Sequence, residues 1–466
     1  TWVEWEYNVT NIGNVYLNDI DVTDSVLCAI CTITGPLGPG ASDFSLASGT
    51  AEIGQYENIG TATAAEEPGG PPAATASDPS HYLGVGARIS VSEDAAINPI
   101  SSEAVAKHIV TAFVESNGGD PDVWEPAEGA TVTFTIDSGP GTFIDDPDSD
   151  AIAAPWDTCV TDVTGTCSIV ITSDTAGLTI ISAFTDDVDL GAIAGVAFTG
   201  ATEFDEDAQK LYVDADLDIS QETDRNLVGD PHVVTATVYT DDGLGGGMQL
   251  TDGITVTFDS PDASYFVGGD NVCVTGETGL GQCQVTINSD APGILTISAG
   301  ADVEFTYPDA DPITIPLDTT DDGEDLTKTY VDARISLTPL NETNEVGDPH
   351  TVTAYVEIDD GSGWADADGV LVDFEIEPSG LTDSCTTGTD GTCSITFTKT
   401  DAGVYTIHAE ASGLDLCLGA LVNIQTGPGE YGDDATKTYV DASIELTTPT
   451  ATNDLDTDAE HTLTAI

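Results

Sequence analysis

Hydrophobic and polar residues alternate along most of this chain, in short runs separated by Gly, Pro, Asp and Asn. A period of two is the signal of a half-buried β-strand. Short strands with turn signals between them predict an all-β fold of immunoglobulin-like sandwiches. Three such strands occupy equivalent places, with inward-facing sets Val132, Phe134, Ile136, then Ile254, Val256, Phe258, then Val372, Phe374, Ile376.

A block of sequence recurs about every hundred residues, which predicts tandem domains arranged as beads on a rod. The motif Lys-x-Tyr-Val-Asp-Ala begins at Lys210, Lys328 and Lys437. A strand beginning at a His forms the second part of each copy, and a degenerate earlier copy keeps that strand. The four histidines are His108, His232, His350 and His461.

These repeats predict five domains. They are a truncated β-sandwich with a linker at 1–83, three complete sandwiches at 84–205, 206–323 and 324–432, and the first two strands of another at 433–466. In the first domain, alternation on both sides of Ile12-Gly-Asn14 predicts two strands around a turn. Residues 58–63 read as a closing strand, and the Pro, Gly and Ala of 66–80 predict a linker.

Two resemblances follow from the motifs. Residues 2–64 carry the pattern Tyr-x-Val-Thr-Asn-x-Gly-Asn-Val and resemble the conserved-repeat domain of large prokaryotic surface proteins, without its first strand. Residues 84–466 carry Val-Gly-Asp-Pro-His-x-Val-Thr-Ala and Gly-Thr-Cys-Ser-Ile, and resemble bacterial immunoglobulin-like repeats of the invasin and intimin type. The resemblance implies a stalk, filament or adhesin segment outside the cell, and we expect a piece of a longer protein.

The charge excludes whole classes of partner. Eighty-three acidic residues against eight basic ones give a net charge of −75. Such a chain cannot neutralise phosphates, so nucleic acid is excluded as a partner and anionic membrane surfaces are disfavoured. No apolar run is long enough to predict a membrane span within this segment. Salt or divalent cations would relieve the self-repulsion of the carboxylates.

Nine cysteines, most of them in spaced pairs, indicate an oxidising compartment and hence secretion. Each pair lies alone in its own domain without His partners, which favours disulfides over zinc. For Cys28 and Cys31, either a local disulfide or pairing with residues outside this segment is expected, because no βαβ context supports a redox site. Cys417 is left over, as a buried thiol or an intermolecular link. The predicted bridges are Cys159–Cys167, Cys273–Cys283 and Cys385–Cys393.

The acidic segments that lead into each motif, here called joint segments, are residues 206–214, 324–332 and 433–441. Calcium prefers six to eight oxygen ligands, and these segments supply carboxylates. The alternative is that the joint Lys pairs with the acids while the Tyr packs into the joint. No cofactor is required on either interpretation. The calcium candidates are Asp207, Asp214 and Asp230 at one joint, and Asp325, Asp332 and Asp348 at the next.

Other candidate sites are weaker. The repeated histidines admit a metal or pH-switch role, but a partly buried, hydrogen-bonded ring fits their place at the start of a strand. Asn8 and Asn341 begin glycosylation sequons. Trp124, Trp156 and Trp364 lie in acidic loops, as ligand-binding aromatics or as loop anchors.

No catalytic motif is present, so the chain is not expected to be an enzyme. We interpret it as a structural segment of a secreted, acidic cell-surface stalk or extracellular filament. Its incomplete terminal sandwiches would be completed by strands of neighbouring copies, because an unpaired sheet edge attracts another strand. The alternative is an adhesin stalk segment that binds a surface ligand and has calcium-rigidified joints.

Overall fold

The computed structural model describes residues 2–92, 95–100, 107–144, 156–200, 206–220, 223–261, 265–322, 325–416, 421–447 and 464–465. Its regular structure is almost entirely β, which confirms the predicted fold class. Two compact units divide the chain: Thr1–Ala215 with Thr240–Gln249 and Glu304–Ile315, and Asp216–Tyr239 with Leu250–Val303 and Pro316–Ile466.

The first domain consists of a two-stranded and a four-stranded sheet. Its strands are β1 (Trp2–Thr10), β2 (Asn18–Asp24), β3 (Cys28–Ile33), β4 (Ser42–Thr50), β5 (Gly54–Ala65) and β6 (Pro72–Gly84). One sheet is β1-β4 and the other is β3-β2-β5-β6, with antiparallel pairing throughout. The core between them is small, with five buried residues: Ile20, Val22, Ile33, Leu37 and Ala64.

Two predictions for this domain are wrong. The strands on either side of Ile12-Gly-Asn14 do not form a hairpin, because β1 pairs with β4 while β2 pairs with β3 and β5. The Asn11 side chain donates hydrogen bonds to the carbonyls of Val15 and Leu37, each at 2.8 Å. These bonds fix the segment through which the chain passes from one sheet to the other. The predicted linker is a strand from Pro72 onward, since an edge strand needs backbone pairing on one side only and tolerates Pro.

The second sandwich lies in the first unit. It contains β7 (Gly86–Ser92), β8 (Ala95–Pro99), β9 (His108–Asn117), β10 (Glu125–Pro126), β11 (Thr131–Ser138), β12 (Thr142–Ile144), β13 (Trp156–Val160), β14 (Thr166–Thr172), β15 (Gly177–Asp189), β16 (Ala194–Phe198) and the first part of β17 (Ala208–Ser220). One sheet is β10-β9-β14-β12 with β7 on β9, and the other is β13-β11-β15-β17 with β16 on β15 and β8 on β17.

The third sandwich lies largely in the second unit. Its further strands are β18 (Thr223–Leu227), β19 (His232–Asp241), β20 (Gln249–Leu250), β21 (Thr255–Asp259), β22 (Val272–Val274), β23 (Gln282–Ile287), β24 (Gly293–Phe305), β25 (Ile313–Asp318) and the first half of β26 (Leu326–Thr338). A 3-10 turn covers Val267–Gly269, and the short helix α1 covers Thr319–Asp322. One sheet is β22-β21-β24-β26, with β18 on β26 and β25 on β24, and the other is β17-β19-β20 with β23 on β19.

The fourth sandwich lies wholly in the second unit. It contains the second half of β26 and β27 (Asn341–Glu345), β28 (His350–Asp359), β29 (Trp364–Asp366), β30 (Leu371–Glu377), β31 (Leu381–Thr386), β32 (Thr392–Phe397), β33 (Gly403–Leu414), β34 (Val422–Gln425) and β35 (Ala435–Val440). Its sheets are β26-β28-β29 with β32 on β28, and β27-β35-β33-β30-β31 with β34 on β33. Beyond it, β36 (Leu446–Thr447) pairs with β37 (Thr464–Ala465).

The predicted alternation is confirmed in the cores. Val132, Phe134, Val256 and Phe258 are fully buried, and Ile136 and Ile254 are half-buried at the margins. Each sandwich therefore has an apolar interior between two sheets whose outer faces carry the acidic residues.

The structure contains the disulfides Cys159–Cys167, Cys273–Cys283 and Cys385–Cys393. Each joins two strands that follow one another in sequence but lie in opposite sheets, such as β31 and β32. The predicted Cys28–Cys31 bridge is absent, and both thiols are free. Three residue steps along strand β3 place them about 10 Å apart, beyond the reach of a disulfide. Cys417 and His461 lie outside the described residues.

Candidate functional site at the strand joints

Strand β26 belongs to two sandwiches at once. Leu326–Tyr330 pair with β24, and the overlapping stretch up to Val331 runs parallel to β18. From Asp332 to Thr338 the same strand pairs with β28 of the fourth sandwich. The third and fourth sandwiches are therefore joined by an uninterrupted strand. The boundary predicted between 323 and 324 falls just before it.

Burial along β26 changes phase at this crossing. Leu326, Lys328 and Tyr330 are buried in the third sandwich, whereas Val331 and Ala333 begin the buried set of the fourth. Two adjacent buried residues are needed because side chains alternate between the faces of a strand. The Tyr-Val step of the repeated motif is thus the point where the chain passes from one core to the next.

The joint lysines are completely buried. Lys210, Lys328 and Lys437 each have 0% exposure, in a chain with only eight basic residues. The Nζ of Lys328 donates a hydrogen bond of 2.7 Å to the Asn226 side-chain oxygen. In the fourth sandwich, the Nζ of Lys437 lies 3.6 Å from a carboxylate oxygen of Glu342. The alternative to calcium expected each Lys to pair with the joint acids. Lys328 and Lys437 instead contact residues of the short second strand of their own sandwich.

A short strand runs parallel to each lysine strand and supplies these partners. Its register places Ala96 opposite Lys210, Asp224 opposite Lys328 and Glu342 opposite Lys437. Two positions further along, each short strand carries an asparagine opposite the joint tyrosine. These residues, missed from the sequence, are Asn98, Asn226 and Asn344. The detectable signal was their fixed place two residues before the repeated Val-Gly-Asp-Pro-His in the later copies.

The joint tyrosines and strand histidines complete this cluster. Tyr212, Tyr330 and Tyr439 are at most 1% exposed, so they pack into the sandwich ends. The Nζ of Lys437 lies 5.4 Å from the centre of the Tyr439 ring, a cation–π contact. His350 is buried, and its Nδ1 lies 2.8 Å from the same Glu342 carboxylate. Its predicted buried, hydrogen-bonded state is seen, although the partner is a strand residue.

Burial sets the protonation of the cluster. It lowers the pKa of His108 to about 4, with a contribution from the positive charge of Lys210. Burial also lowers the pKa of His350, and Lys437 adds to this effect while Glu342 opposes it. Burial and then the charge of Asp230 raise the pKa of Tyr330 to about 12. The histidines are therefore neutral and the tyrosine is protonated near neutral pH.

The calcium candidates do not gather into one site per joint. Asp207 and Asp325 accept hydrogen bonds from the Thr199 and Thr319 hydroxyls, at 2.6 and 3.0 Å. These hydroxyls in turn accept backbone N–H groups, so the two carboxylates fix the strand ends. Within the described part of the chain, no three His, Cys, Asp or Glu residues are grouped to hold a metal ion.

The other candidates are distributed differently from the prediction. Asp214 and Asp332 accept the N–H of the following residue, and burial raises the pKa of Asp332. Burial and then the charge of Asp230 raise the pKa of Tyr330, so Asp230 lies near the joint after the one predicted. Burial, followed by Tyr405 and Asp348, likewise raises the pKa of Tyr439. The reason is that β18 and β27 each lead directly into a Gly-Asp-Pro-His turn, which therefore lies at the far end of its sandwich. Calcium binding stays a prediction.

Two of the three loop tryptophans stack against arginines. The Arg88 guanidinium lies 4.4 Å from the Trp124 ring centre, and Arg334 lies 4.1 Å from that of Trp364. Trp156 is 53% exposed on β13. Asn8 and Asn341, the glycosylation candidates, are exposed on β1 and β27.

A groove runs along the first domain, between β1 and the strands β5 and β6. Its volume is about 380 Å³. Among the described residues, β1 and β6 each pair with one strand only, so each has an open edge. Asn58 lines the groove, is 1% exposed, and its side-chain oxygen accepts no hydrogen bond. Leaving a buried acceptor unpaired costs roughly 1–3 kcal/mol, so a donor in the groove would be favoured.

No family model matches the chain, and no curated protein matches it in sequence. Solved structures similar to it include a tetra-tandem repeat from the extending region of a large adhesion protein, with 14% identity, 94% of this chain and 95% of that one covered, and a TM-score of 0.27. Invasin, a bacterial integrin-binding protein, shares 14% identity over 78% of this chain and 61% of its own, with a TM-score of 0.23. The D00-D0 domain of intimin shares 13% identity over 52% and 100%, with a TM-score of 0.26. Similarity of this degree gives no evidence on ligands.

No helix among the described residues could span a membrane.

Proposed function

We propose that this chain is a structural, non-enzymatic segment of a secreted cell-surface stalk or extracellular filament. The observation that carries the proposal is the strand shared by two sandwiches. A continuous β26, paired with both cores, passes tension from one sandwich to the next through covalent backbone. An enzyme or a switch has no need of such a connection, whereas a load-bearing rod does.

The composition agrees with exposure outside the cell. Three disulfides tie the opposite sheets of their sandwiches and are stable in an oxidising compartment. A net charge of −75 keeps such a surface soluble and repels nucleic acid and anionic membranes. The chain therefore suits a solvated extracellular structure.

Neighbouring copies are the proposed partners, through strand addition at the first domain. The groove beside β1 and β6 offers two open strand edges, an unpaired Asn58 oxygen and a core of only five buried residues. The second sandwich, by comparison, buries seventeen residues in its core. A strand donated by a second copy would pair with an edge, supply a donor and fill the small core.

Electron microscopy of the purified chain tests this assembly. We expect linear fibres, and isolated rods at all concentrations would refute assembly through strand addition. Val9, half-buried in the groove, gives the informative variant V9R, which should abolish the fibres by placing a charge in the strand site. The control L46R adds the same charge at a residue outside the groove and should leave them intact. Equal loss of fibres in V9R and L46R would show that the added charge, and not its place in the groove, governs assembly.

A further inference from the structure

The amine of Lys328 and the amide of Asn226 meet at the edge of the third sandwich. Lys328 is completely buried on β26, the last strand of that sandwich, and Asn226 lies on β18, its short second strand. Their Nζ and Oδ1 atoms are 2.7 Å apart. Reacting groups held in contact by two paired strands have the proximity that makes an intramolecular reaction fast.

We propose that Lys328 and Asn226 form an intramolecular amide cross-link. The Lys328 Nζ lone pair attacks the Asn226 Cγ, a new C–N bond forms, and the bond from Cγ to Nδ2 breaks. One proton passes from Nζ to Nδ2, which leaves as ammonia. No oxidant, reductant or cofactor is needed, because one amide replaces another.

Burial of Lys328 and the strand register both favour this reaction. A lysine amine desolvated by an apolar core is a recognised form of activated nucleophile. A carboxylate is the natural carrier for the proton. Residue 224, which the strand register pairs with Lys328, is an aspartate. In the fourth sandwich, the same register position holds Glu342, which lies 3.6 Å from Lys437.

The other sandwiches lack the full arrangement. In the second, Ala96 replaces the acid, and the Asn98 oxygen accepts no hydrogen bond. In the fourth, the Nζ of Lys437 makes no hydrogen bond, and its nearest carboxylate neighbour is Glu342 rather than Asn344. One cross-link per chain is therefore expected, between β18 and β26.

The cross-link would lie on the path of tension. β26 leaves the third sandwich as its last strand and enters the fourth as its first. Pulling on β26 slides it against the parallel strand β18. A covalent bond between the two strands would stop this sliding without any change in the sheets.

Intact mass spectrometry of the full chain, after reduction of the disulfides, tests the proposal. We expect a mass one ammonia below that of the sequence, and a branched peptide that joins residues 226 and 328 after digestion at acidic residues. The sequence mass, or a branched peptide at other residues, would overturn the proposal.

Two variants separate the cross-link from ring closure at Asn226 alone, which also releases ammonia. K328R keeps the positive charge but lacks the amine, so it should restore the sequence mass. K210R, the matched change in the second sandwich, should retain the deficit. A deficit that survives in K328R would overturn the proposal.

Discussion

At the scale of single residues, the chain places scarce positive charge inside its sandwiches. Three of eight basic side chains are the buried joint lysines, although burying a charge is costly unless it is paired. The partners of Lys328 and Lys437 come from short parallel strands that only the structure reveals. In the fourth sandwich, the single carboxylate of Glu342 contacts both Lys437 and His350.

Removal of the Glu342 charge should therefore destabilise the fourth sandwich. We expect E342Q to lower the free energy of unfolding by about 2–3 kcal/mol, because it leaves Lys437 buried without a countercharge. The control E345Q removes an equal charge from an exposed position on the same strand and should have little effect. Denaturant unfolding measures the free energy of unfolding of both variants. An equal decrease in E342Q and E345Q would contradict the role assigned to Glu342.

The stability of the second sandwich should depend on pH through His108. Its folded pKa of about 4 lies below the unfolded value of 6.5, so the unfolded chain binds the proton first. As far as His108 is concerned, the free energy of unfolding is highest above pH 6.5. It falls by up to about 3 kcal/mol as the pH decreases toward 4.

Variants at two histidines isolate this effect from the titration of the many acids. H108Q should lose less stability than the parent chain between pH 7 and pH 4.5, measured by denaturant unfolding. H81Q, at an exposed position on β6, should follow the parent. Parallel curves for the parent and H108Q would refute the assignment.

At the scale of elements, period-two alternation was enough to predict the strands and their buried faces. It could not predict partners, so β1 and β2 read as a hairpin although their sheets differ. The Pro, Gly and Ala composition of β6 predicted a linker, but the segment is a strand, because an exposed edge strand needs no apolar side chains. The phase change at Tyr330 and Val331 was present in the sequence, and it marks the passage between cores. Asn226 needed the structure, since its contact with Lys328 spans a parallel pairing.

The disulfides act at this scale by tying two sheets together. Loss of Cys385–Cys393 through C385S/C393S should cost about 2.5 kcal/mol, the entropy of a short closed loop in the unfolded chain. Thermal unfolding of the fourth sandwich measures the change. C28S, which removes a free thiol, serves as the control and should leave the melting temperature unchanged.

At the scale of the whole molecule, a net charge of −75 makes self-repulsion a general destabilising force. Sodium chloride should raise the melting temperature by screening this repulsion. Calcium at matched ionic strength tests the calcium hypothesis for the joints, since binding to the folded state alone adds about 2.7 kcal/mol at a hundred times the dissociation constant. No additional shift with calcium would contradict that hypothesis.

The central claim is that β26 joins two sandwiches as a stiff connection. Double electron–electron resonance tests it directly, with spin labels at the exposed Val233 and Val404 of the third and fourth sandwiches, in a chain whose Cys28, Cys31 and Cys417 are serines. The shared strand predicts a narrow distance distribution, which a Gly-Gly-Ser insertion between residues 331 and 332 should broaden. A distribution equally broad in both chains would contradict the claim.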